Sequence, residues 1–395
     1  MVEEHGIIIT QAAGNFGPIV FTLPEQYSEI SDYIFIIGSI FTADVKSKFL
    51  YIECLNSVHS YSSKGPLLSG ARGVDFVAPG AAITDLPNWD FSKNETSGGT
   101  SFAAPNVAGS IACLLSALKA KSIPYSPAMI KMALAKTAFF PEGADKLSFG
   151  NGIIQICDAF EFIKTSYNYL PSKLITPILS NNPKQKGILY IQKNKTESKN
   201  CSVKIDPTLK LKWILKCESF CGKYFVTHSK TIQNNSFNVK INSKKLEEGS
   251  INYAEIYGFD SANPTIGPLF YLPITVICPV DLNFCNEKTV LLKSCLPTYF
   301  FLKCPIKAVE CSIKITCLDE KKERQITFHY WQLKDPIKRI HDAVDFKFSK
   351  EKPVENFSLV RENGQECYEF SLHHQHCIAL SFKLEIRFLE KTKNV

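Results

Sequence analysis

The clearest chemical signal in the sequence is a serine among glycines and small residues, in the run Ser97-Gly98-Gly99-Thr100-Ser101-Phe102-Ala103-Ala104-Pro105. A long apolar stretch follows, which predicts that Ser101 lies in the first turn of a buried helix. The backbone N–H groups of that turn have no partner within the helix and can bind a negatively charged oxygen. The run therefore predicts that Ser101 is a nucleophile whose own N–H faces an oxyanion. A capped helix start would explain Thr100-Ser101 alone, but not the whole run.

A second candidate residue is an asparagine that follows a short β-branched segment. Gly6–Thr10 predicts a strand, and Ala12-Ala13-Gly14-Asn15 predicts the turn after it. An asparagine amide at such a position can donate to an oxyanion beside the Ser101 N–H. Taken alone, Asn15 would be an ordinary turn asparagine. Together with Ser101 it predicts an oxyanion hole with two donors.

These motifs resemble the subtilisin family, whose nucleophile motif is Gly-Thr-Ser-x-Ala-x-Pro. The motif positions are occupied here by Gly99, Thr100, Ser101, Ala103 and Pro105. The turn at Gly14-Asn15 resembles the loop that carries the family's oxyanion asparagine. The segments Ser60–Pro66 and Val77–Gly80 resemble the loop and strand that lead to the nucleophile. The resemblance implies peptide hydrolysis through an acyl-Ser101 intermediate, with Asn15 and the Ser101 N–H stabilising the oxyanion.

Two further members of the family's catalytic triad are expected to be absent from this chain. The triad runs Asp, His, Ser along the chain, and its first two members lie far upstream of the oxyanion asparagine. The residues before Asn15 include His5, which lacks the Gly-Thr-His setting of the family's base, and His59 is no better placed. Without a base, Ser101 keeps its proton and is a weak nucleophile.

Two interpretations follow from the missing triad residues. The chain is a fragment or one piece of a split peptidase, inactive alone, which is the interpretation we favour. The alternative is a pseudopeptidase, a non-catalytic assembly or interaction protein that retains the β-rich modules described below.

The elements that must position these residues alternate between strands and helices over residues 1–168. Buried-strand candidates are Gly6–Thr10, Ile34–Gly38 and Gly73–Gly80, and a helix is predicted over Ser101–Lys119. Continuous apolar runs of this kind indicate a parallel sheet covered by helices on both faces. Residues 1–168 are therefore predicted to be the C-terminal portion of an α/β subtilisin-like domain.

The rest of the chain is predicted to be mainly β. Strand candidates include Leu189–Ile191, Lys212–Leu215, Ser236–Ile241 and Leu269–Ile277, and turns separate them as in β-sandwiches. We predict one sandwich-like module over residues 169–282 and a second β-rich module over 283–395.

The first of these modules indicates which branch of the subtilisin family is involved. Its segments Tyr253–Asp260, Gly267–Phe270 and Pro273–Val276 resemble the Tyr-x-Glu-Val-x-Gly-Tyr-Asp, Gly-Pro-Leu-Phe and Pro-Ile-Thr-Val runs of the tripeptidyl-peptidase II family. The residues also suit an ordinary hairpin, so we interpret them as a marker of the fold. The resemblance implies removal of tripeptides from free N-termini of oligopeptides, in the cytosol, by a homo-oligomer.

Composition excludes several other classes of function. The net charge of +7 comes from 45 basic and 38 acidic residues without a long single-sign block, which argues against nucleic-acid binding. We expect no membrane span, because no run approaches about 18 apolar residues, and no secretory signal at the N-terminus. The 14 cysteines are then expected to be reduced thiols. Spacings such as Cys217 to Cys221 miss the usual zinc pairs, so we predict neither metal nor cofactor.

Overall fold

The computed structural model describes residues 2–43, 56–83, 96–192, 198–206, 211–281, 285–293, 296–305, 307–319, 323–334, 341–360, 365–374 and 379–390. The chain divides into two compact units. The first holds Met1–Tyr190, Asn194–Leu246 and Asn252–Val276, and the second holds Ile191–Lys193, Glu247–Ile251 and Ile277–Val395. The bounds 1–168, 169–282 and 283–395 stay predictions.

An α/β sheet lies at the centre of the N-terminal part. Its strands are β1 (Thr10–Ala12), β2 (Phe35–Phe41), β3 (Ser57–Val58) and β4 (Phe76–Pro79). Strand β2 pairs in parallel with β1 and β4 and antiparallel with β3. Phe35 and Ile37 enter one buried cluster while Ile36 and Ile40 enter another, so both faces of β2 are covered. This double burial explains the continuous apolar run and confirms the predicted α/β class.

One predicted strand is displaced. The segment Gly6–Thr10 was expected to be extended, but β1 begins only at Thr10, where pairing with Phe35 starts. Gly6 has φ +65, a left-handed conformation that directs the chain away from the sheet, and Ile7 is exposed.

The helices are α1 (Val2–His5), α2 (Tyr27–Ile30), α3 (Thr100–Ala120), α4 (Pro127–Thr137), α5 (Lys146–Phe149) and α6 (Ile156–Ser166). A short antiparallel pair, β5 (Ala81–Ile83) and β6 (Thr96–Gly98), leads directly into α3. Helix α4 starts at a Ser126 cap, whose hydroxyl accepts from the Met129 N–H at 3.2 Å. Its first residue is Pro127, whose fixed φ suits that position.

Helix α3 is long and apolar enough to cross a membrane by length and composition alone, so the expectation of no membrane span stays a prediction. The helix has 21 residues, and an 18-residue window within it has a mean hydropathy of 1.5. However, Ala103, Val107, Ile111 and Leu114 lie in the same buried cluster as strands β2 and β4. Packing within the α/β core therefore accounts for the buried face of α3.

The first β-module is a pair of four-stranded sheets in the orders β10-β13-β14-β8 and β11-β12-β9-β7. Its strands are β7 (Ile178–Leu179), β8 (Ile188–Ile191), β9 (Lys199–Lys204), β10 (Trp213–Ser219), β11 (Val226–His228), β12 (Ser236–Ile241), β13 (Ser250–Asp260) and β14 (Phe270–Cys278). Alternate residues of β12 are buried, namely Phe237, Val239 and Ile241. This alternation is typical of a sandwich strand with one face in the core.

The second β-module also consists of two four-stranded sheets, in the orders β15-β22-β17-β20 and β16-β21-β18-β19. Its strands are β15 (Cys285–Leu292), β16 (Thr298–Lys303), β17 (Ala308–Cys317), β18 (Arg324–Lys334), β19 (His341–Phe348), β20 (Val354–Val360), β21 (Gln365–His373) and β22 (Leu380–Glu390). Phe328, Phe370 and Phe382 lie in its apolar core. The predicted sandwich-like architecture is therefore confirmed.

Within the first unit, a buried ion pair connects the α/β part to the first β-module. Arg72 precedes strand β4, and Glu255 lies on β13; the Arg72 Nη1 to Glu255 Oε1 distance is 3.1 Å, and both side chains are almost completely buried. Glu255 also accepts hydrogen bonds from the hydroxyls of Tyr253 and Tyr257. The Arg72 guanidinium lies 4.4 Å from the ring centroid of Tyr271.

Candidate active site

Ser101 lies in the first turn of helix α3 and is exposed. The turn before it is fixed by the hydrogen bond from the Gly99 N–H to the Gly80 carbonyl, at 2.8 Å. A Cβ on Gly80 would lie 2.0 Å from the Ser39 Oγ, so only glycine fits there. The structure thus presents Ser101 in the first turn of a helix, as the sequence predicts, directly after the β5–β6 pair.

Asn15 is held in one orientation by Thr100. The Asn15 Oδ1 accepts from the Thr100 N–H at 3.0 Å and from the Thr100 hydroxyl at 2.9 Å. The Thr100 Oγ1 in turn accepts from the Gly14 N–H at 3.1 Å. Because the amide oxygen faces these two donors, the Nδ2 of Asn15 is the end that remains available to donate elsewhere.

The two predicted oxyanion donors and the nucleophile meet at one point beside Gly99. The position that a Cβ of Gly99 would occupy is 3.3 Å from the Asn15 Nδ2 and 3.6 Å from both the N and the Oγ of Ser101. Because glycine has no side chain, nothing of Gly99 stands between these groups and an approaching substrate carbonyl. A carbonyl oxygen within reach of both the Asn15 Nδ2 and the Ser101 N–H would accept two hydrogen bonds, which is the arrangement that stabilises a tetrahedral intermediate.

The loop that carries Asn15 is supported by the segment around Ser63. The Ser63 Oγ accepts from the Phe16 N–H at 3.1 Å, and the Ser63 N–H donates to the Gly14 carbonyl at 2.9 Å. Gly14 has φ +104, which favours glycine. In the sequence, Ser63 stands out only as part of the Ser60–Pro66 segment that resembles a loop of the family. Its spacing from Asn15 does not predict this contact.

The histidines named in the sequence are placed elsewhere. His5 is exposed at the end of α1. The ring of His59 stacks between Phe41 and Tyr61, and its Nδ1 lies 2.8 Å from the Ser39 Oγ. In the described part of the chain, the Ser101 hydroxyl has no hydrogen bond to a histidine.

The remaining motif residues have structural positions. Ala103 is fully buried behind Ser101, and Pro105 is exposed on α3. The structure thus brings Gly14, Asn15, Gly99, Thr100 and Ser101 together, while their catalytic roles stay predictions. No group of three His, Cys, Asp or Glu side chains suited to a metal occurs among the described residues.

Comparison with protein families agrees with this architecture. Residues 1–153 match the model of the subtilase family, and residues 177–277 match that of the first Ig-like domain of tripeptidyl-peptidase II. Residues 1–153 therefore belong to the subtilase family of serine peptidases. The chain as a whole has the order of domains of tripeptidyl-peptidase II, and it corresponds to the C-terminal part of the peptidase domain followed by β-modules.

Individual relatives lead to the same assignment. The chain is 30% identical to tripeptidyl-peptidase 2 of Oryza sativa subsp. japonica over 402 residues, covering 92% of this chain and 29% of that protein. It is 28% identical to tripeptidyl-peptidase 2 of Caenorhabditis elegans over 360 residues, covering 85% and 26%. The chain thus spans less than a third of the length of these curated relatives.

A solved structure shows the same fold. The crystal structure of tripeptidyl peptidase 2 superposes with a TM-score of 0.81 at 22% identity, covering 100% of this chain and 33% of that one. This likeness extends through both β-modules, including the second module, which neither family model matches.

Proposed function

We propose that the chain is the nucleophile-bearing part of a peptidase that releases tripeptides from the free N-termini of oligopeptides. The observation that carries the proposal is the grouping of the Asn15 Nδ2, the Ser101 N and the Ser101 Oγ beside Gly99, which has no side chain. The similarity to proteins named tripeptidyl-peptidase 2 supports the substrate class.

In the proposed reaction, the Ser101 Oγ attacks the carbonyl carbon of the scissile peptide bond while a general base accepts the hydroxyl proton. The carbonyl oxygen becomes an oxyanion and accepts from the Ser101 N–H and the Asn15 Nδ2. The C–N bond then breaks, the base returns its proton to the leaving amine, and an acyl-Ser101 ester remains. Water hydrolyses this ester by the same steps and releases the tripeptide acid.

We further propose that the base and its orienting carboxylate are supplied from outside these 395 residues. The triad motifs are not found around His5 or His59, and neither histidine is described in contact with Ser101. The chain alone is then inactive, because Ser101 keeps its proton. A cytosolic location and a homo-oligomer assembled through the β-modules are part of the same proposal.

The test compares two preparations on a tripeptide-coumarin amide with a free N-terminus and on its N-acetylated form. One is the native protein, captured from cells with an antibody against the second β-module, and the other is the recombinant 395-residue chain. We expect the native protein to cleave only the free form and the chain alone to match buffer. The Ser101→Ala variant should abolish turnover, whereas Ser110→Ala, on the same helix, should not. Activity of the chain alone would place the base inside it, and absence of activity in the native protein would refute the peptidase.

The second candidate is the non-catalytic assembly protein. It is favoured by the two complete sandwiches, whose sheets do not involve Ser101. This alternative predicts that the native protein is inactive and that light scattering gives the same oligomer for the wild type and for Ser101→Ala.

A further inference from the structure

A cavity of about 260 Å³ lies within the first unit, away from Ser101. Residues of helix α4 and of the segment before β4 line one side of it, and residues of the first β-module line the other. Its charged lining residues are four lysines and two aspartates: Lys131, Lys136, Lys146, Lys186, Asp32 and Asp75. Nothing in the proposed peptidase chemistry uses this cavity.

Both carboxylates in the cavity are already neutralised. Asp32 accepts from the Lys186 Nζ at 2.8 Å, and Asp75 accepts from the Lys131 Nζ at 2.9 Å. Lys131 also donates to the Ser31 and Ile34 carbonyls, and Lys186 also bonds to Ser31. In each pair the two charges compensate each other, and further N–H groups of the lysine donate to other acceptors of the protein.

Among the described residues, two lysines of the lining remain without a protein acceptor, namely the exposed Lys136 and the partly buried Lys146. Lys136 and Lys146 have no hydrogen bond or ion pair with any residue that the structure describes. The Lys136 side chain lies against Gly267, 3.1 Å from the position a Cβ would take there. The Lys146 ammonium lies 4.8 Å from the ring centroid of Phe140 and 5.5 Å from that of Phe220. Glu255 and Glu218 act on this ammonium only at a distance, and an anion in direct contact with it would stabilise its charge.

The charge of Lys146 agrees with this interpretation. Burial lowers its pKa to about 8, although Glu255 and Glu218 act in the opposite direction and Arg72 adds to the lowering. An anion bound beside the ammonium would stabilise its charged form. Tyr271 also lines the cavity, with its ring against the Arg72 guanidinium. The charged lining groups without a hydrogen bond or ion pair among the described residues are thus both cations.

The rest of the lining is apolar. Leu174, Ile175, Ile266 and Phe270 contribute to the wall. Pockets of this kind bind ligands with an apolar body that a few polar groups orient. We propose that this cavity is a binding site for a small organic anion, whose carboxylate or phosphate is held by Lys136 and Lys146 and whose apolar body contacts the first β-module.

The first test measures binding to the wild-type 395-residue chain by isothermal titration calorimetry at pH 7. The probes are 4-phenylbutyrate, the uncharged 4-phenylbutyramide, phenyl phosphate and inorganic phosphate. A ligand of about 12 non-hydrogen atoms should bind with a Kd on the order of 1 mM. We expect both organic anions to bind at least about tenfold more tightly than the amide. Inorganic phosphate should bind more weakly, because it lacks the apolar body.

The second test locates the site. Lys136→Met and Lys146→Met should each weaken binding of 4-phenylbutyrate by about tenfold. Lys164→Met is the matched control, because its ammonium pairs with Glu161 on an exposed helix face, and it should leave the Kd unchanged. Equal affinity for acid and amide would overturn the proposal, as would unchanged binding in both cavity variants. Because the acid–amide comparison uses only the wild type, a variant that failed to fold would not decide the result.

Discussion

The Arg72–Glu255 pair gives the most direct stability prediction, because both charges are buried and the partners lie 183 positions apart. The change is Glu255→Gln, which keeps the side chain's shape and removes its charge. Arg72 then keeps a buried charge without its paired carboxylate. Removing one partner of a buried ion pair lowers the free energy of unfolding by about 3–5 kcal/mol. Tyr253 and Tyr257 also lose a charged acceptor, so we expect a loss in the upper part of that range.

The assay is urea unfolding, followed by the fluorescence of Trp213, which lies in β10 beside strand β13. Replacing Trp89 and Trp331 by Phe in all variants leaves this one reporter in the first unit. Glu161→Gln is the matched control, because its ion pair with Lys164 is exposed and should contribute less than about 1 kcal/mol.

The double variant Arg72→Met with Glu255→Met tests the reasoning itself. Replacing a buried ion pair by apolar side chains of similar volume is often neutral, or stabilising by about 1–4 kcal/mol. The double variant should therefore unfold at higher urea than Glu255→Gln alone. If Glu255→Gln loses no more unfolding free energy than the control, or if the double variant is less stable than Glu255→Gln, then Glu255 does not stabilise the buried charge of Arg72.

Three further predictions concern the site and the cavity. Thr100→Val removes the hydroxyl that holds the Asn15 Oδ1, so steady-state kinetics of the native-length protein should show kcat lower by about tenfold with KM little changed, and Thr100→Ser should restore it. Gly99→Ala places a methyl 3.3 Å from the Asn15 Nδ2 and 3.6 Å from the Ser101 N, where it obstructs the approach of a carbonyl oxygen, and should lower kcat/KM by about a hundredfold or more. Thermal unfolding should change little, because the φ of 165 at Gly99 is ordinary extended backbone. Lys146→Met should raise the unfolding free energy at pH 7 by up to about 3 kcal/mol, because burial has lowered the folded-state pKa of Lys146 from 10.5 to about 8. The unfolded state binds more protons between those values, so the advantage should shrink as urea unfolding is repeated from pH 8 to 10.5, and a constant difference would contradict it.

The sequence predicted those parts of the structure that depend on local pattern. Strand β2 was recognisable because burial on both faces requires a continuous apolar run, and α3 because its small and apolar residues follow a glycine-rich start. The boundary of β1 was missed because its first residue is fixed by pairing with Phe35, which no local pattern records.

Contacts between distant segments could not be predicted. The sequence identified Asn15 and Ser101 only through separate motifs, and the bonds through Thr100 that orient Asn15 join positions 85 apart. The Tyr253–Asp260 segment was interpreted as a fold marker. The structure adds a physical reason for its composition, since Glu255 is buried against Arg72 and two tyrosine hydroxyls.

These contacts link the first β-module to the oxyanion loop through the chain between Arg72 and Ser63. A Cβ on Gly65 would lie 1.8 Å from the Arg72 carbonyl oxygen, so the two backbones touch. Ser63, two residues before Gly65, holds Gly14 and Phe16 on either side of Asn15. We therefore expect a displacement of Arg72 to change the position of the Asn15 amide. A shift of about 1 Å there is enough to reduce catalysis. The first β-module then helps to position the oxyanion hole. Glu255→Gln should therefore lower kcat in the native-length protein even under conditions in which the variant remains folded.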